Sequence, residues 1–401
     1  MSATLWQSAH HLDVDALLAD PSTRIVVCCG SGGVGKTTTA AAVGVRAAEM
    51  GRHAVVLTID PARRLAQSLG LSQLDNAPAP IPGIDTSAGG SLDAMMLDMK
   101  RTFDEVVIAH AEPARAEAIL ANPFYQALST SFAGTQEYMA MEKLGQLHRQ
   151  SEADGTWDLI VVDTPPSRSA LDFLDAPRRL GTFLDGRLIR ILAAPARAGG
   201  RAYVRLLSAS LGVFSNVLNK IVGTQVLRDL QTFVASFDTL FGGFRERAEQ
   251  TYALLAAPGT SFLVVAAPEP DALREASYFV ERLEEDGMPL AGLVLNRVSP
   301  VRLPELSPEL AAAGAERLRD GDPQPDSAEA LAAALLSLHA DRMRQAARQH
   351  HLADRFVAAN PRVPVVAVPA LAQDVHDLDG LRRIGGLLAE RRRISSGSGR
   401  Q

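Results

Sequence analysis

Apolar residues along the chain fall into short continuous runs separated by longer amphipathic stretches. Runs at Arg24–Cys29, His53–Ile59, Trp157–Val162, Ser261–Ala266, Leu290–Leu295 and Val363–Val368 have the length and branched composition of buried strands. Between them, helical spacing predicts an Ala-rich helix from Lys36 to about Met50, closed by Gly51-Arg52, and a charged helix over Leu273–Asp286. Another helix follows the last strand through about Glu390, and residues 1–20 read as a short leading helix ending at Pro21. Turn-rich sequence fills 61–92, notably Pro78–Gly83 and Ala88–Gly90. Helical patterning runs from Ser91 to about Gln150, with breaks near Pro113 and Pro123, and again over 177–257. Polar, Pro-containing sequence at Asp320–Asp326 predicts a loop, and the Arg/Ser/Gly-rich stretch Arg391–Gln401 predicts a disordered tail.

Strands alternating with helices imply an α/β fold: a mainly parallel sheet with helices on both faces. The expected organisation is one domain over 1–390, with its core in about 21–92, 151–176 and 258–390. The insertions 93–150 and 177–257 are too long for simple crossovers and are expected to form a helical subdomain.

Composition narrows the classes. With 47% apolar and 21% charged residues in 401, the chain is globular. A formal net charge of −6 gives no electrostatic reason to bind nucleic acid. The two cysteines, Cys28 and Cys29, are adjacent on a predicted strand, so their side chains face opposite ways and cannot jointly grip one metal. Without a CxxC pair, cysteine-built zinc and iron–sulfur sites are excluded. No basic-then-apolar leader and no apolar run of the ~18 residues needed to span a bilayer is present, which predicts a cytoplasmic protein.

The chemistry is concentrated in Gly30-Ser31-Gly32-Gly33-Val34-Gly35-Lys36-Thr37, which fits G-x-x-x-x-G-K-[ST] between a strand and a helix. Its glycines let successive N–H groups turn inward onto phosphate oxygens, and the helix from Lys36 directs its positive end to the same place. Lys36 is expected to neutralise the β- and γ-phosphates of ATP, and Thr37, followed by Thr38, to ligate Mg²⁺. Asp163 ends a strand where a carboxylate would face the Mg²⁺. Asp60, opening Asp60-Pro61-Ala62-Arg63-Arg64, is placed to orient attacking water and is a further candidate metal ligand. Asn296 and the Pro369-Ala370-Leu371 loop are candidates for the adenine end.

The loop ending Gly-Gly-Val-Gly-Lys-Thr-Thr, the Asp60-Pro61-Ala62 segment and Asp163-Thr164-Pro165-Pro166 together resemble the deviant-Walker-A ATPases. Within that group the chain resembles the arsenite-pump ATPase (ArsA) family, which includes ATPases that deliver tail-anchored membrane proteins and bacterial proteins called anion-transporting ATPases. Asp-Pro-Ala and about a hundred residues between the two aspartates favour that side over partition and septum-positioning ATPases. The resemblance covers the ATPase core nearly end to end and is weaker in the helical insertions.

The resemblance implies a dimer with two nucleotides at its interface, opening and closing with the ATP cycle. It assigns Asp60 to switch I as the residue that activates water, Asp163 to switch II, and Asn296 to a position contacting adenine. One departure matters. The family's loop carries a Lys directly after its first Gly that reaches the partner's γ-phosphate, and here that residue is Ser31. A cation supplied in trans is worth ~10³–10⁵ in rate. A paralogous partner could donate it in a heterodimer, Arg63 or Arg64 could stand in, or the chain could turn ATP over slowly as a nucleotide-dependent scaffold.

Apolar stripes recur at helical spacing over Leu206–Val222 and Leu227–Phe244. They fit either a subdomain core or a groove for an apolar client helix of a membrane protein. Met95, Met96, Met99, Met139 and Met141 suit an adaptable surface or ordinary core.

Overall fold

The computed structural model describes residues 10–60, 64–123, 125–126, 129, 135–165, 246–301, 303–321 and 323–390. Pro61–Arg63, Pro166, the two apolar stripes and the tail after Glu390 lie outside the described residues. So do residues 1–9 of the expected leading helix, whose described part is α1, Val14–Ala19.

Eight strands form one sheet: β1 Ile25–Cys29, β2 His53–Thr58, β3 Ala79–Pro80, β4 Ser91–Met96, β5 Leu159–Asp163, β6 Thr260–Ala266, β7 Leu290–Val298 and β8 Val365–Pro369. Their order is β3-β4-β2-β5-β1-β6-β7-β8. Every pairing is parallel except the short β3–β4 contact. In this order β1 lies near the middle, between β5 and β6. The loop after β1 therefore lies at the C-terminal edge near the middle of the sheet, where parallel α/β sheets place their ligands.

Side-chain alternation divides the core into two layers. Ile25, Val27, Cys29, Val55 and Leu57 face one apolar layer, and Val26, Cys28, Ala54 and Val56 face the other. Cys28 and Cys29 thus point to opposite faces, as the strand period requires.

Over the second layer lie α2, Lys36–Glu49, and α10, Leu378–Ala389. The small residues of α2 let it settle close to the strands. At Gly44 a Cβ would meet Val56 Cγ2 at 2.5 Å, so even an alanine would push the helix off β2. The short helix α3, Arg64–Ser68, completes this side through Leu65 and Ala66.

The opposite layer receives α4, Met99–His110, α5, Pro113–Leu120, and α6, Thr135–Asp154, with α7, Pro270–Glu285. The charged helix α7 buries a stripe of Leu273, Ala276, Phe279, Val280 and Leu283, with apolar positions three and four apart. The end of α9, Ala328–Ala359, adds Ala353 and Phe356, while α8, Pro308–Asp320, packs along the first half of α9. Glu142 of α6 is buried and accepts from Arg247 Nε at 2.9 and 3.1 Å, tying α6 to the helical stretch over 246–256.

The structure corrects several sequence expectations. Helical patterning was expected from Ser91, but Ser91–Met96 is a strand paired in register with β2, and helix begins only at Met99. Trp157 Nε1 donates to Asp93 at 2.7 Å, holding that strand to the approach to β5. Met95, Met139 and Met141 are fully buried and serve as core, so they offer no adaptable surface. The loop at Asp320–Asp326 separates α8 from α9 as expected, although neither helix was assigned from the sequence. Among the described residues, no helix is long and apolar enough to cross a membrane.

Candidate functional site

The strand β1 ends at Cys29, and the chain turns through Gly30–Gly35 before α2 begins at Lys36. Gly30, Gly33 and Gly35 have φ of 148°, 77° and 96°. L side chains are strained in this region, and two of these glycines also lack room for one. A Cβ on Gly30 would run into the Val265 carbonyl, and one on Gly35 into the Asn296 side-chain amide. We expect Gly35→Ala to cost about 1–2 kcal/mol in backbone strain alone and to weaken nucleotide binding at least about tenfold by displacing Asn296. Thermal unfolding paired with ADP titration would check both effects.

Each predicted loop residue has a distinct place. Val34 turns its side chain into the core, so only its backbone is available to a ligand. Ser31 gives its carbonyl to Lys36, whose Nζ donates at 2.8 Å, while Gly32 is exposed. Gly33, Gly35, Lys36, Thr37 and Thr38 line a cleft of about 640 Å³ with Asp60, Asn296 and Pro369. Arg64, Gln67, Ser68, Arg297 and the loop Ala370–His376 complete its walls. The volume lies within the usual range of small-molecule sites.

Asp163 sits at the base of this arrangement. Its strand runs between β1 and β2, in register with Cys28 on one side and Thr58 on the other. The carboxyl is fully buried, and its Oδ2 accepts from Thr58 Oγ1 at 2.8 Å. Its Oδ1 is buried with no hydrogen-bond partner. Burial pushes the Asp163 pKa up to about 6, opposed by the Thr58 and Thr37 hydroxyls and the Lys36 charge and reinforced by Asp60. Burial likewise lowers the pKa of Lys36, while Asp163, Cys29 and Asp60 support its charge. A cation and carboxylates sharing a desolvated cleft floor is a recurrent mark of functional sites.

The surrounding strand ends are tied down beyond the sheet ladder. Thr164 Oγ1 donates to Cys28 O at 2.9 Å, Ile59 N to Asp163 O at 3.0 Å, and Leu97 N to Thr58 O at 2.9 Å. Asp60 follows directly, largely buried, with its N–H on Thr58 Oγ1 at 3.3 Å. Thr58 thus braces both aspartates, a role the sequence reading missed. The available signal was a hydroxyl two residues before Asp60 on a strand destined to lie beside β5.

The donor set fits magnesium. An orphaned, buried Asp163 oxygen next to the Thr37 hydroxyl gives hard oxygen ligands, with room left for phosphate and water oxygens, which is how Mg²⁺ is ordinarily held. Among the described residues, no three His, Cys, Asp or Glu side chains gather into an all-protein metal cage. Both thiols are buried and their pKa values are raised, that of Cys29 to about 12, so neither is a ready thiolate ligand.

At the far wall, Asn296 donates from Nδ2 to Val34 O at 2.8 Å and accepts the Arg297 N–H at 3.0 Å. The structure therefore places Asn296 against the phosphate loop as well as on the cleft. Pro369 ends β8 beside it, and Ala370 N donates to Val298 O at 2.9 Å.

A parallel sheet carrying a strand–glycine loop–helix unit, with a lysine and two aspartates on its C-terminal edge, defines a P-loop nucleotide-binding fold. Residues 23–309 match the family model described as anion-transporting ATPase, and the chain belongs to that family. Among its relatives, a protein of Halobacterium salinarum provisionally named an arsenical pump-driving ATPase is 30% identical over 47% of this chain and 29% of its own length. A protein of Malassezia globosa named ATPase GET3 is 27% identical over 40% of this chain and 44% of its own. Another ATPase GET3, from Chaetomium globosum, is 24% identical over 74% of this chain and 81% of its own. The chain thus covers less than half of the first two relatives.

Proposed function

We propose that this chain binds Mg-ATP in the cleft, hydrolyses it, and acts as a dimeric switch whose nucleotide state governs an apolar client or partner. The supporting observation is the Asp163 carboxyl, fully buried with one oxygen unpartnered beside Lys36 and Thr37. Leaving one oxygen of a buried carboxyl without a partner costs about 1–3 kcal/mol, and such a feature fits a site completed by a ligand.

The chain's own groups divide the work. Thr37 and Asp163 would hold Mg²⁺, which when bound neutralises charge on the β- and γ-phosphates. Lys36 exchanges the Ser31 carbonyl for phosphate oxygens, and the loop N–H groups with the start of α2 bind the rest. Asp60 accepts a hydrogen bond from the attacking water and orients it. The water oxygen bonds to the γ-phosphorus as the bond to the bridging oxygen breaks, and ADP leaves with that electron pair. The water's proton passes through Asp60 to solvent or phosphate. Asn296 and the loop from Pro369 border the base end.

Ser31 favours a second reading of the same site. It carries no charge, and the only described residue of the Arg63–Arg64 pair, Arg64, lines the cleft. A weakly hydrolysing subunit paired with a paralogue that supplies a cation accounts for the uncharged Ser31, whereas the place of Arg64 on the cleft suits the alternative in which that arginine stands in. The insertions 93–150 and 177–257, the second lying mostly outside the described residues, are the proposed client-binding subdomain. The arsenical cargo in one relative's name finds no pair of reactive thiols here, since Cys28 and Cys29 are the chain's only cysteines and both are buried.

Turnover of the purified full chain, alone and mixed with candidate paralogues, tests these readings together with native mass. We expect Mg-dependent ATP hydrolysis and a dimeric mass. Fast turnover by the isolated chain, unchanged by a paralogue and by Arg63→Ala and Arg64→Ala, would sink the heterodimer reading. No turnover in any mixture would sink the hydrolytic one.

A further inference from the structure

Arg297 is the only non-glycine residue with positive φ among the described residues, at 59°. It lies where the β7–β8 register shifts between Leu295 and Val298. In a regular strand, Asn296 and Arg297 would point to opposite faces of the sheet. The irregularity instead brings both side chains to the phosphate loop, on consecutive carbonyls. Asn296 Nδ2 donates to Val34 O at 2.8 Å, and Arg297 Nη1 donates to Gly33 O at 2.9 Å.

In a trans peptide, the carbonyl and the following N–H point in opposite directions across one rigid plane. No peptide bond here is cis. Holding Gly33 O therefore fixes the direction of the Val34 N–H, and holding Val34 O fixes that of the Gly35 N–H. Both carbonyls are drawn toward β7, so both N–H groups face away from it.

We propose that Arg297 is a positioning residue for the phosphate loop: with Asn296 it aims the Val34 and Gly35 N–H groups before nucleotide arrives. The inference rests on the reading that this loop binds nucleotide phosphates. It also accounts for the left-handed backbone at Arg297, a conformation that is strained for an L-residue and persists where surrounding structure holds it.

The test uses the full chain and Mg-ADP titration with Arg297→Ala, Arg297→Lys and Arg297→Gly, alongside unfolding midpoints without nucleotide. Arg297→Ala is expected to raise the Kd for Mg-ADP roughly five- to tenfold, the effect of losing one charge-assisted hydrogen bond. Arg297→Lys is expected to stay within about threefold, because an ammonium can also donate to a carbonyl. Arg297→Gly is the discriminating variant: it removes the backbone strain together with the guanidinium. It should bind Mg-ADP as weakly as the alanine variant while unfolding at the wild-type temperature or above it. Wild-type affinity in the alanine or glycine variant would overturn the proposal. Affinity lost in Arg297→Ala but restored in Arg297→Gly would also overturn it, by assigning the effect to the backbone. Wild-type protein that fails to bind Mg-ADP would overturn the nucleotide reading itself and this inference with it.

Discussion

Asp60→Asn is expected to leave Mg-ATP binding within a few-fold of wild type and to slow single-turnover hydrolysis by about 10²–10⁴-fold, the usual worth of a positioned general base. The substitution keeps the size of the side chain and its place after β2, where Thr58 Oγ1 meets the Asp60 N–H. It removes the negative oxygen proposed to orient water and accept its proton. Rapid mixing of excess enzyme with ATP, followed by ADP quantification, isolates the chemical step from product release. Turnover within tenfold of wild type would remove Asp60 from the mechanism.

Asp163→Asn has the second large effect, and it runs in opposite directions for stability and function. In the folded protein the carboxyl pKa is pushed up to about 6 by burial, against ~3.9 for an unfolded aspartate. Between these values the folded state holds a proton that the unfolded state has lost. Stability without ligand therefore falls as pH rises from about 4 to 6, and the penalty is fully present above about 6. The shift corresponds to about 3 kcal/mol. Asparagine does not titrate, so the difference in unfolding free energy between variant and wild type should move toward the variant by up to that amount between pH 4 and pH 7. With Mg-ADP present the order reverses: wild type gains stability from the ligand, and the variant, lacking the carboxylate for Mg²⁺, gains little. Denaturant unfolding at several pH values, with and without Mg-ADP, measures both. A pH-independent difference would contradict the burial argument.

What could be read from the sequence follows from how local each feature is. The β1–loop–α2–β2 unit was legible because apolar runs, a glycine-rich loop and an Ala-rich helix sit within about thirty-five residues and point to the same structure. The opposed faces of Cys28 and Cys29 followed from strand geometry alone. The strand β4 was misread because Ser91–Met96 merges into the helical pattern from Met99, and its identity comes from pairing with β2. The long helix α9 escaped assignment for a different reason. Leu331, Leu335 and Leu338, at helical spacing, are 62%, 57% and 53% exposed, so its apolar pattern does not mark a core-facing stripe.

The site divided in the same way. Lys36, Thr37, Thr38, Asp60, Asn296 and Pro369 were named from the sequence, and the structure brings them to one cleft above Asp163. Arg297 could not be found by spacing. It lies 264 positions from Gly33, and only the strand irregularity in β7 turns its side chain onto the loop. Cys29, next to the loop, is chemically quiet for a reason no motif contains: it is buried at the end of β1 beside β6, with its thiol on Leu263 O at 3.7 Å.

The proposed function requires the cleft from Gly33 to Pro369 to hold Mg-ATP through Lys36, Thr37 and Asp163. Calorimetric titration of ATP into the full chain, with Mg²⁺ and then with a chelator, tests it most directly when repeated on Lys36→Ala. The expected result is saturable one-to-one binding per chain that weakens strongly without Mg²⁺ and is lost in the variant. Binding of equal strength in the chelated sample and in Lys36→Ala would contradict it.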